Sequence, residues 1–281
     1  MDATHLFNNQ ICIKGAGEMA SGVACRLYNA GFRRMIMLEI DRPIAVRRAV
    51  SFCEAVYDGR QTVESITAEK VTVPDQIAAA WSRQTIPVLV DPDGEIITRW
   101  TFDVIIDAIL AKKNLGTRKS DADLVMALGP GFEAGNDVDC VVETQRGHQL
   151  GRIYWKGSAA PNTGVPGEIG GYSSERVLRS PCDGSFKPVH AIGDPMSKGE
   201  VIGHVDGSPL TAELDGILRG LIRTGIPVRK GMKIGDIDPR GDRSYCYTIS
   251  EKSRAIGGAV LEAMLHHWFH QMQQVTETNS Q

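Results

Sequence analysis

The sequence predicts an α/β protein: a doubly wound parallel sheet, a smaller C-terminal β domain and a terminal helix. Three observations carry this. Continuous apolar runs alternate with helical patterns through the first half, as in strands covered on both faces. The turn "GAGEMA" at 15–20 joins the first apolar run to the first helical pattern. A segment starting at Cys182 recurs, without gaps, at Leu214.

Taken in order, Ile11–Lys14 reads as a strand. Gly17–Ala30 reads as a helix, with Met19, Val23 and Leu27 four apart and Gly31 closing it. Met35–Glu39 is a second apolar run, and Ile44–Val56 is helical in pattern after Pro43. Asp75–Arg83 reads as a helix before the strand Pro87–Val90, which "DPDG" stops. Asp103–Leu110 and Val125–Leu128 complete the apolar runs.

Residues 157–174 hold seven Gly or Pro in eighteen positions, which fits either a flexible linker or an ordered loop folded over a site. In the repeat that follows, Asp183-Gly184 matches Asp215-Gly216, Gly193 matches Gly225, and Lys198-Gly199 matches Lys230-Gly231. Two such halves close one small β structure, and the pattern resembles the barrel-sandwich hybrid of biotinyl and lipoyl domains. Those domains carry their cofactor on a lysine in the inter-half hairpin. Here that hairpin, "DGSPLTAE" at 206–213, has no lysine, so neither biotin nor lipoate is expected. The end reads as an amphipathic helix with capping-box spacing at Thr248 and Glu251. The expected divisions are 1–156 for a Rossmann-like nucleotide-binding domain, 157–175 for a connecting loop and 176–245 for the β domain. They end with the helix at 246–275 and a disordered tail at 276–281.

Of 281 residues, 42% are hydrophobic and 23% charged, and 31 Lys and Arg against 34 Asp and Glu leave a net charge of −3. That is an ordinary globular composition, with no call for nucleic acid or an anionic membrane. The start, "MDATHLFNNQ", is no signal peptide, and no apolar run approaches the ~18–20 residues that span a bilayer. A cytoplasmic protein is expected. The six cysteines lie far apart without a CxxC pair, against a zinc knuckle or disulfide framework.

The candidate chemistry starts at the glycine loop. "GAGEMA" fits G-x-G-x-x-[GA]: Gly15 allows the turn, Gly17 lets a phosphate approach, and Ala20 lets the helix pack close. Glu39 is placed to bond a ribose and Arg42 to favour an extra phosphate, while Glu18 in the loop would repel phosphate. "DAILAKKNLGTR" puts Lys112, Lys113, Asn114 and Arg118 after a strand, as an anion site or a solvated basic loop. "ALGPGF", with Gly129 and Gly131, offers another close backbone approach. Cys53, between Arg47/Arg48 and Glu54, is the thiol to watch, and His148 is the lone histidine that stands out. Glu262, His266 and His270 share one helix face but read as a solvated polar face, so no metal site is expected.

With "IKGAGEMASGVACRLYNAGF", "DAILAKKNLGTR", "LGPGFEAGNDV", "NTGVPGEIGGY" and "KIGDIDPRGD" in hand, the chain resembles one family over almost its whole length. These are the YqeB-like accessory proteins of the selenium-dependent molybdenum hydroxylase system. The first half is also reminiscent of the Rossmann domain in xanthine dehydrogenase accessory proteins. The resemblance implies a protein that binds the molybdenum cofactor, or a related nucleotide, for insertion or for sulfur or selenium modification. It also implies a molybdenum hydroxylase as partner. A "GAGEMA" loop suits the pyrophosphate of that cofactor's nucleotide form or of NAD(P). The alternatives are an NAD(P)-dependent oxidoreductase and a non-enzymatic docking protein for the target hydroxylase.

Overall fold

A computed structural model describes residues 6–278. Nine strands form one sheet: β1 Ile11–Lys14, β2 Met35–Glu39, β3 Arg60–Val63, β4 Ile66–Val71, β5 Ile86–Val90, β6 Val104–Asp107, β7 Leu124–Leu128, β8 Cys140–Val142 and β9 Ile153–Tyr154. Their spatial order is β3-β4-β5-β2-β1-β6-β7-β8-β9. The inner pairs are parallel, and both outer pairs, β3 with β4 and β8 with β9, are antiparallel.

Strand geometry sends alternate residues to opposite faces. Ile11, Ile13, Met35, Met37, Val104 and Ile106 point into one core, and Cys12, Ile36, Leu38 and Ile105 into the other. The helices are α1 Glu18–Asn29, α2 Ala55–Asp58, α3 Gln76–Ser82, α4 Glu95–Arg99 and α5 Glu251–Thr278. Helices α1 and α5 cover the first face, while α3 supplies Ile77 and Ala80 to the second.

This corrects the expected fold class. The sheet is mixed, and a doubly wound Rossmann-like sheet is not supported. Double winding needs a helix in each crossover. The crossover from β6 to β7 holds only the 3-10 turn Lys119–Asp121, and that from β7 to β8 holds no helix. The cover near β7 and β8 comes instead from α5, far along the chain. Apolar strands report burial, not which segment covers them. The helix expected over Ile44–Val56 is also replaced, by two 3-10 turns, Arg48–Val50 and Phe52–Glu54, running into α2. Ser51, extended at φ −127°, breaks the pattern, and its Oγ donates to the Arg47 carbonyl.

The remaining strands are β10 Val177–Arg179, β11 Gly184–Pro188, β12 Pro195–Met196, β13 Val201–Val205, β14 Ser208–Thr211, β15 Gly216–Leu221, β16 Pro227–Val228 and β17 Lys233–Asp238. They form two antiparallel sheets, β10-β17-β15-β12 and β14-β13-β11-β16, around a third core that includes Phe186, Ile202, Leu218 and Ile234. The repeat units exchange their short strands: β12 pairs with β15, and β16 with β11. Matched hydrogen bonds fix the exchange. Asp183 Oδ1 accepts from Lys230 N–H and Asp215 Oδ1 from Lys198 N–H, each at 2.7 Å.

Helix α5 does not start on the expected capping box. Ser250 Oγ accepts from Ser253 N–H at 3.3 Å, while Thr248 Oγ1 donates to the Ser244 carbonyl. Of the expected tail, 276–278 belong to α5 and 279–281 lie outside the described residues. No helix among the described residues is long and apolar enough to cross a membrane.

Candidate functional site

The carboxyl ends of β1, β2, β5 and β6 open into a cavity of about 630 Å³, lined by Gly15, Gly17, Glu39, Cys53, Asp91 and Leu115 among others. Gly15 is needed for its turn: its φ is +90°, and an added Cβ would lie 3.3 Å from the Ala108 carbonyl oxygen. Gly17 has φ −70° and open space where a Cβ would stand, so its small size leaves room in the cavity. Ala20 is fully buried against the core.

Glu39 turns onto the loop itself. Its Oε1 accepts from Ala16 N–H and its Oε2 from Ile40 N–H, both at 2.9 Å. Burial raises its carboxyl above the ordinary value, and those two bonds pull it back. The acceptor expected for a ribose therefore bonds the backbone around it. Glu18, the first residue of α1, is held by Arg47 Nη1 at 2.8 Å and Ser250 Oγ at 3.0 Å.

A second cavity, of about 640 Å³, lies between this sheet edge, the loop at 160–167, the start of α5 and strands β15 and β17. Seven cationic side chains line it against three carboxylates. Arg47 and Lys112 come from the sheet edge, Arg146 and Lys252 from the loop after β8 and the first turn of α5. Arg176, Arg219 and Lys233 come from the β unit. All three carboxylates are already engaged, Glu18 by Arg47 and Ser250. Glu143 accepts from Gln145 and Ala160 N–H, and Asp236, fully buried, accepts from Arg176 and Arg219 with Lys233 at 3.7 Å. Burial alone would raise the Asp236 carboxyl, but Lys233, Arg219 and Arg176 hold it below the usual range.

Asp238 extends the network, accepting from Arg219 Nη1 at 2.9 Å and Arg240 Nη2 at 2.6 Å. Among the described residues, neither Lys112 nor Lys252 has an ion pair or hydrogen bond from its ammonium. Burial, with repulsion from Arg146, lowers the Lys252 ammonium below the usual lysine value. The two cavities share Glu18, Met19, Leu110 and Lys252 as a common wall.

The other expected site residues disperse. Arg42, Lys113 and Arg118 are exposed and line neither cavity. Asn114 shapes its own loop, its Oδ1 accepting from Gly116 and Thr117 N–H. Gly129 and Gly131 serve close packing: added Cβ atoms would lie 2.6 Å from Thr144 Oγ1 and 2.5 Å from Lys113 N. Cys53 is 1% exposed and burial pushes its thiol well up, opposite to the activated thiolate its arginine neighbours suggested. Arg47 and Arg48 turn instead to Glu18 and Glu54. His148 sits exposed, away from both cavities.

Sequence reading missed Arg176, Arg219, Lys233, Asp236 and Lys252. One signal was available. The second repeat unit places Lys233 and Asp236 where the first has Val201 and His204, so charge enters an apolar strand in one copy only.

No family model matches the chain. Among solved structures, an aspartoacylase family protein from Mesorhizobium loti is 12% identical, with 82% of this chain and 84% of that one covered and a TM-score of 0.28. TcdA (CsdL) is 12% identical, with 98% and 90% covered and a TM-score of 0.32. A succinylglutamate desuccinylase/aspartoacylase from Rhodobacter sphaeroides is 26% identical over 23% of this chain and 22% of that one, with a TM-score of 0.19. Likenesses this low carry no argument.

The expected function needs correction. The comparisons support neither molybdenum hydroxylase maturation nor an NAD(P)-dependent oxidoreductase. The molybdenum, selenium and Rossmann descriptors fall with those expectations. In sequence, the chain is 46% identical over 266 residues to the "Uncharacterized protein YqeB" of Escherichia coli (strain K12), covering 94% of this chain. It spans 49% of that relative, about half its length. This identity across nearly the whole chain supports placing it in a YqeB-like family.

Proposed function

We propose that the chain binds a small polyanion in the cavity between the sheet edge and the second repeat unit. One observation carries this reading: seven cations from separate chain segments converge on one cavity of about 640 Å³ in a protein of net charge −3. Buried charges are normally paired, and Asp236 and Asp238 pair the deeper arginines. Lys112 and Lys252 stay unpaired at the cavity wall, available to a charge-assisted bond with an anion.

Calorimetry with sulfate, phosphate and pyrophosphate tests this. Binding is expected, strongest for pyrophosphate, weakened by added salt and reduced at least tenfold in Lys252→Ala. Absence of binding by all three, or equal binding by folded Lys252→Ala, contradicts it.

A further inference from the structure

The cavity beside the cationic one gathers aliphatic side chains at its opening. Its lining includes Leu38, Ile40, Pro43, Ile44, Ile109 and Leu115. Of its four carboxylates, Glu18, Glu39, Asp91 and Asp93, two are occupied by backbone: Glu39 by Ala16 and Ile40 N–H, and Asp91 by Glu95 and Ile96 N–H.

Fourteen large hydrophobic residues are exposed among the described residues, and four of them surround this one opening. Ile40 is 47% exposed, Ile44 48%, Ile109 41% and Leu115 52%. None belongs to a buried core cluster, so folding does not account for them. Aliphatic groups gathered around a concave opening mark a place where apolar surface is covered by something bound. The loops after β2 and β6 hold them in place. Because Glu18, Met19, Leu110 and Lys252 line both cavities, one molecule can lie across the boundary with its two ends in different surroundings.

We propose that the ligand is an amphiphilic anion, with an apolar body in the aliphatic cavity and its charged group in the cationic one. This rests on the polyanion reading and adds the chemical class of the molecule. The free Lys252 ammonium at the shared wall would meet the charged group where it joins the body. Gly17, with open space beside it, leaves the body room to pass the start of α1.

Calorimetry on the full chain with inorganic phosphate, 1-naphthyl phosphate and octyl phosphate tests this, the last two separating a flat ring from a chain. At least one organic phosphate should bind tenfold or more tighter than inorganic phosphate. Ile44→Asp with Leu115→Asp, both at exposed positions, should cut that advantage below threefold and leave inorganic phosphate unchanged. Gly17→Val, tolerated at its φ of −70°, should do the same by filling the passage. If inorganic phosphate binds and neither organic phosphate binds tighter, the inference fails and the polyanion reading stands. It fails equally if the advantage survives in the folded double variant. If none of the three binds, both readings fail.

Discussion

At the residue scale, the fate of a charged group depends on what its neighbours leave it to do. Glu39 looked like a ligand acceptor and is a brace for its own loop. Cys53 looked activated because two arginines precede it by five and six residues, but both side chains go elsewhere and burial dominates. Its thiol should therefore resist iodoacetamide in the folded protein at neutral pH and react only on unfolding. Peptide mass spectrometry showing rapid alkylation of native Cys53 would contradict this placement. Lys252 carries the opposite expectation. Its ammonium is lowered, so it loses charge at a lower pH than an ordinary lysine, whose value is about 10.4. Sulfate keeps one charge state across that range, so its affinity should fall as pH rises toward the ordinary lysine value. Lys252→Arg should flatten the decline, because a guanidinium stays charged there. A pH-independent sulfate affinity in the wild type would show that Lys252 takes no part.

At the element scale, α5 occupies the face that a crossover helix would otherwise cover, and its fit against α1 depends on missing side chains. A Cβ on Gly22 would stand 2.5 Å from Ser253 Cβ, and one on Gly257 would stand 2.9 Å from Arg26 Cβ. Gly257, which weakens the helix on propensity alone, is thus where the two helices meet. Gly22→Ala should cost about 1–3 kcal/mol in denaturant unfolding, whereas Gly258→Ala, with open space beside it, should be neutral or stabilising. Equal effects at the two positions would contradict this packing. In the β unit, Asp236→Asn leaves Arg176 and Arg219 buried without their shared counter-charge, at an expected cost of about 3–5 kcal/mol near neutral pH. The Asp236 carboxyl is lowered in the folded state, so its stabilisation is present above the unfolded value of about 3.9 and lost as pH falls through the folded one. The stability gap between wild type and Asp236→Asn should therefore close in acid. A gap unchanged down to pH 2 would mean that the carboxylate charge is not what holds the network.

At the scale of the whole molecule, local pattern was legible and assembly was not. Apolar runs placed β1, β2, β5 and β7, and the repeat placed equivalent strands in two halves, because each signal is written within a few consecutive residues. The polar edge strand Arg60–Val63 and the two-residue strand Ile153–Tyr154 carry too little pattern to be read. Double winding failed because no sequence rule says that residues after 250 will cover strands before 143. The cationic cavity was not legible for the same reason. Lys112 was noticed as an anion-binding candidate, but its partners Arg219, Lys233 and Lys252 lie more than a hundred residues on and meet it only when the β unit docks. That convergence of cations is the central claim, and its most direct test is a crystal soaked in tungstate, located by its anomalous scattering. The account predicts the strongest peak inside the cavity lined by Arg146, Arg219 and Lys252. Peaks confined to the outer surface, with that cavity empty of tungsten, would contradict it.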